Sequence, residues 1–121
     1  MHKYLVYAAY GWLTFSGTLH FIIDVVSQYV RGKRLPGPET TLYYGLNTAF
    51  ALGQVAFGLM GLWVAWRAMA LFDELPTMLL AVAASFCWLA ITFLFMGYRE
   101  PKMNAAIFCT LIVAACATAR W

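Results

Sequence analysis

Charge is what this sequence has least of. Among its 121 residues 11% are charged and 64% are hydrophobic, against roughly a quarter charged in an ordinary soluble domain. A water-soluble fold could not cover that much apolar surface, so that class is excluded. Histidine is limited to His2 and His20. The three cysteines, Cys87, Cys109 and Cys116, form no CxxC pair and have no histidine near them in sequence. That scarcity excludes a redox dithiol and leaves too few ligands for a tetrahedral zinc site. The cysteines are expected to be small core residues. Ser16 and Ser27 have no triad around them, Cys87 faces no identifiable base, and no hydrolase or transferase motif is present. No catalytic residue is therefore expected, and the reading leans away from an enzyme. Cations never gather beyond the Arg31, Lys33, Arg34 group. Anionic lipid head groups suit so sparse a set better than nucleic acid does, and nucleic acid is not expected as a partner.

What the sequence has in plenty is long apolar segments. Four of them, 4–29, 41–67, 76–98 and 103–119, each come near the ~20 residues that a hydrocarbon core of ~30 Å requires. No segment alternates as a membrane barrel strand would, and helices alone satisfy their own backbone in lipid. The expected fold is all-α: an integral membrane four-helix bundle of antiparallel up-down topology, in one domain over 1–121. The first segment is longer than a signal-peptide core and lacks a small-residue cleavage pattern, so it is expected to be retained. Pro36, Gly37 and Pro38 interrupt the first loop, which carries Arg31, Lys33 and Arg34. Glu39 is placed to charge the first turn of the second helix. Asp73 and Glu74 precede Pro76 as an acidic helix start, and residues 99–102 read as a tight charged turn. The aromatic residues, Trp12, Trp63, Trp66, Trp88, Trp121 and the tyrosines, mostly fall near span ends as an interfacial belt.

Four spans put both termini and the second loop on one side of the membrane. Lys3, Arg67 and Arg120 lie on that side, against Arg31, Lys33, Arg34, Arg99 and Lys102 on the other. The positive-inside rule then favours cytoplasmic first and third loops.

The chemistry-bearing candidates are polar residues at membrane depth, where an ionisable side chain costs ~2.5 to 3.5 kcal/mol at a helix centre. Gly17, His20, Asp24 and Gln28 recur at steps of three and four, with Ser27 alongside, and so share one helix face. His20 and Asp24 stand one turn apart, close enough for a hydrogen bond that would hold the ring tautomer. In the second span Tyr43 or Tyr44, Asn47, Ala51, Gln54, Gly58 and Gly61 form a matching stripe. Equal depth pairs Asp24 with Asn47. The expected ligand-binding set is His20, Asp24, Asn47, Gln54, Tyr43 and Tyr44, rimmed by Tyr98, Arg99 and Asn104. For Asn47 and Gln54 the plainer reading is register-fixing hydrogen bonds worth ~0.6 kcal/mol each. No metal site is expected. His2 lies about 27 Å from His20 along the first helix, too far for both to ligate one haem.

The words Gly17-Thr18-Leu19-His20, Leu46-Asn47 and Phe57-Gly58-Leu59 resemble small four-span bacterial membrane proteins and, more loosely, the DoxX-like group. That resemblance implies a bacterial inner membrane and hints at quinone-linked redox complexes. The four-span glutathione and eicosanoid enzymes carry paired arginine and glutamate around a second-helix asparagine. Asn47 here lacks that pattern. The leading expectation is a non-enzymatic membrane module whose polar pocket holds a quinone or lipid. The second is a structural subunit or homo-oligomer packed through Gly53, Gly58 and Gly61. The third is a proton-coupled carrier using His20 and Asp24.

Overall fold

A computed structural model describes residues 1–119, and these form helices joined by short connections, with no strand among them. Arg120 and Trp121, counted above among the end cations and the aromatic belt, lie outside the described residues. The first rod is α1 (His2–His20), a π-helical segment (Phe21–Ser27) and the short α2 (Gln28–Val30). The second is α3 (Pro38–Ala68), continued by a 3-10 turn (Met69–Asp73). The third and fourth are α4 (Leu75–Phe95) and α5 (Arg99–Ala117).

Helix starts follow local chemistry. Pro38 and Pro76 open α3 and α4 in their first turns, where no N–H is needed, and Glu39 meets the positive end of α3. The same rule corrects one sequence expectation. Residues 99–102 are not a loop but the opening of α5, with extended Tyr98 as its N-cap and Glu100 in its first turn. The connection is instead 96–98, because α4 ends at Phe95 and Met96 turns to extended backbone.

Three helical stretches are long and apolar enough to cross a membrane: Pro38–Asp73, Leu75–Phe95 and Arg99–Ala117. The first rod, expected as a fourth, does not join them. Thr14, Ser16, Thr18, His20, Asp24 and Gln28 lower its hydropathy, and its helical ladder changes type at Phe21. It compensates by position. α1 packs against both α3 and α5, while α4 packs on α5. Seven of the 19 residues of α1 are buried, against four of 21 in α4. The rod that falls short of the membrane-crossing helices in hydropathy is the one packed between two others.

Close approach of α1 and α3 depends on glycine. A Cβ on Gly58 would meet the Thr14 hydroxyl and would stand 2.8 Å from the Thr14 backbone nitrogen. One on Gly61 would strike the Tyr10 ring, and one on Gly17 would come within 2.8 Å of the Gln54 Cβ. Tyr10 is therefore not part of an interfacial belt. Its ring is buried over Gly61, with Phe57, Phe72 and Phe108 at centroid distances of 5.8, 5.3 and 6.0 Å. Two tryptophans also leave the expected belt. Trp88 packs edge-on to Phe57 and Phe108, and the Trp12 indole N–H donates to the Asn104 carbonyl at 3.1 Å. These residues are large enough to span the gaps between rods, whereas Trp63 and Trp66 stay exposed. Of the cysteines, Cys109 is buried, Cys116 is partly buried and gives its thiol to the Met78 sulfur at 3.1 Å, and Cys87 is exposed. At the far end of α1, a ring nitrogen of His2 hydrogen-bonds the Ala115 carbonyl at 2.9 Å, and the other lies 3.6 Å from Asp73.

Candidate functional site

The polar end of the first rod begins where the α-helix gives way to the π-helical segment. Asp24 sits in the middle of that segment, whose wider i→i+5 ladder is rare and recurs at functional sites. His20, the last residue of α1, is 7% exposed and turns toward α3. Its Nδ1 lies 2.9 Å from a carboxylate oxygen of Asp24, and its Nε2 lies 3.0 Å from the side-chain oxygen of Asn47. The ring stands edge-on to Phe50 at 5.3 Å.

Proton positions follow from the donor inventory. The Asn47 side-chain NH2 donates to the Tyr43 carbonyl at 2.9 Å. A backbone carbonyl only accepts, so this bond fixes the amide orientation and leaves the Asn47 oxygen facing His20. Nε2 of His20 must then carry a proton and donate it. The Nδ1 atom faces the Asp24 carboxylate. Both ring nitrogens are thus occupied, and His20 has no donor left for anything else. Gln28 completes the group through longer bonds, 3.5 Å to Asp24 and 3.4 Å to the Tyr43 hydroxyl.

Of the residues expected to form the site, His20, Asp24, Asn47 and Tyr43 come together. Asp24 does not meet Asn47 directly; His20 stands between them, because α3 is displaced by about one turn from the equal-depth pairing. Gln54 is buried, but its Cβ packs opposite Gly17, two turns from Asn47, and it makes no hydrogen bond to the His20 group. Tyr44 packs edge-on to Tyr29 at 5.7 Å and to Tyr43 at 5.5 Å in an aromatic cluster at the loop end.

Two clefts flank the group. The first, about 420 Å³, lies between the first rod and α5 and is lined by His20, Asp24, Tyr98, Glu100 and Asn104. The second, about 720 Å³, lies between α3 and the end of α4 and is lined by Arg34, Tyr43, Asn47, Phe50, Phe95 and Tyr98. Gln54, Tyr44 and Arg99 line neither. Tyr98, just beyond the end of α4, is common to both. Its hydroxyl is covered and faces the Asp24 carboxylate. Burial first, and then the facing Asp24 charge, hold this phenol above the ordinary tyrosine range.

Sequence reasoning missed two contributors. Gln28 lay on the polar stripe but outside the proposed ligand set. Arg34, whose guanidinium sits 3.4 Å above the Tyr43 ring, is brought in by the fold of the first loop and leaves no periodic signal. Among the described residues no three His, Cys, Asp or Glu side chains gather as a metal site would need. Comparison with family models, with curated proteins and with solved structures returned no match for this chain.

Proposed function

We propose that the chain is an integral membrane protein whose four rods cross the bilayer up and down. In this reading the clefts beside His20 hold an amphipathic small molecule, a quinone or a lipid, with the first and third loops on the cytoplasmic side. The apolar exterior supports the bilayer: Leu80, Phe93 and Leu94 of α4 are 69%, 64% and 75% exposed. The first rod crosses with them because Ser16 and His20 are buried and Asp24 and Gln28 partly so, where helix neighbours shield them.

One observation carries the ligand reading. A buried His20 is clasped between Asp24 and Asn47, with open space on both sides of the clasp. Amides or hydroxyls would hold two helices in register more cheaply than an ionisable pair does. Both clefts fall within the roughly 300 to 1,000 Å³ of small-molecule sites, and both join apolar walls to a few polar groups. The homo-oligomer reading is weaker, because Gly58 and Gly61 are used inside the chain against α1, which leaves Gly53 alone of its three glycines.

The test is native mass spectrometry of the protein in mild detergent, followed by organic extraction, on wild type and His20→Ala. A quinone or lipid that accompanies wild type and is depleted in the variant supports the reading. Empty wild type, or equal ligand in both at equal stability, refutes it and favours a structural subunit.

A further inference from the structure

The two clefts beside His20 are lined by charges of opposite sign. Asp24 and Glu100 line the smaller one with no lysine or arginine, whereas among the described residues Arg34 is the one charged side chain lining the larger. Arg34 is held there by stacking: its guanidinium lies 3.4 Å above the ring of Tyr43, which lines the same cleft. Stacking uses the face of the guanidinium and leaves its N–H groups, which point outward in its plane, to donate. They form no ion pair among the described residues. Beyond Arg34 the walls turn apolar, with Leu46 and Phe50 on α3 and Ile91 and Phe95 on α4. α4 packs on α5 rather than on α3, which leaves this gap, and Trp88 bridges it farther along by meeting Phe57. Tyr43 and Phe50 stand about 10 Å apart along α3. A cation therefore sits at one end of an apolar slot that can take part of an alkyl chain.

We propose that the larger cleft is a site for a lipid whose anionic head group, a carboxylate or a phosphate, is received by Arg34 while its chain lies between α3 and α4. This rests on the ligand reading above and narrows it from a quinone or lipid to an anionic lipid. A guanidinium presents its donors as a fork that matches two oxygens of either head group. An anion in the smaller cleft would instead face Asp24 and Glu100, so the sign of charge directs it to the larger one. The nearby Asn47 amide does not compete for the head group, since its oxygen meets His20 and its NH2 donates to the Tyr43 carbonyl. Arg34 belongs to the first loop and the apolar walls begin past it, which is the head-then-tail order of a lipid.

The experiment titrates the full chain in a mild uncharged detergent with four probes of one tail length: the alkyl carboxylate, phosphate, alcohol and quinone. Wild type should bind at least one of the two anions about two- to fivefold tighter than the alcohol, the worth of an exposed ion pair, and added salt should shrink that margin. A tighter carboxylate identifies a fatty acid and a tighter phosphate a phospholipid; either supports the anionic class. Arg34→Gln should bring the anions down to the level of the alcohol, and Arg34→Lys, which keeps the charge, should retain part of the preference. An anion preference that survives in Arg34→Gln overturns the assignment to Arg34. Wild type that binds the alcohol or the quinone as tightly as both anions, or tighter, overturns the anionic class and leaves the ligand reading standing. Wild type that binds none of the four refutes the ligand reading, and this site falls with it.

Discussion

The seam between α1 and α3 has two halves built on different physics. Around Tyr10, Thr14, Gly58 and Gly61 it is tight and nearly free of side chains on the α3 side, so that backbone meets backbone and ring. Toward the first loop it opens, and His20, Asn47, Tyr43 and Gln28 bridge the gap by hydrogen bonds of 3.0 to 3.4 Å. Gly17 lies at the changeover, against Gln54 and Ala51. The tight half tolerates no added atom. The open half keeps space beside its polar groups, and that space is what a ligand needs.

Gly58→Ala should break this contrast most strongly. Its Cβ would meet the Thr14 hydroxyl and, beside it, the Thr14 backbone nitrogen and the Tyr10 carbonyl, which cannot move aside, at a cost of about 1 to 3 kcal/mol. Unfolding by SDS titration in mixed micelles measures it. Gly11→Ala is the matched control, since a Cβ there would meet nothing within 4 Å; it should be neutral or gain up to about 1 kcal/mol from helix propensity. Equal loss in both variants would mean that the glycine contact does not set the seam.

In the open half the effects should be smaller. Asn47→Ala removes the acceptor of His20 Nε2 and should cost about 0.6 to 1.7 kcal/mol in the same titration, the range of interhelical hydrogen bonds in membranes. A cost above that of Gly58→Ala would reverse the comparison. Arg34→Ala should matter least. It removes an exposed cation stacked on Tyr43, worth about 0.5 kcal/mol in that titration.

Much of the fold was legible because it rests on local chemistry. The helical segments, their proline and acidic starts, and the shared face of Gly17, His20 and Asp24 follow from composition and a period near 3.6. Errors arose where neighbours in space decide. Tyr10, Trp12 and Trp88 had the composition of a belt but pack between rods, and the charged run at 99–102 opens a helix because Pro101 suits a first turn. The candidate site was half legible. His20, Asp24, Asn47 and Tyr43, singled out by their spacing along two helix faces, lie together, although His20 rather than Asp24 meets Asn47. Gln54 and Tyr44 lie apart from that group, and Arg34 left no signal to read.

By itself the sequence determined that the chain is helical, that its helices come in long apolar segments, and that His20 and Asp24 sit one turn apart. Those properties depend on residue type and on neighbours within a turn. Only the tertiary structure decided that His20 reaches Asn47 while Asp24 does not, that the first rod is the one packed between two others, and that Tyr98 divides two clefts. The register between rods governs all three, and it is set by where Gly17, Gly58 and Gly61 let backbones touch, a long-range condition that no local window of sequence contains.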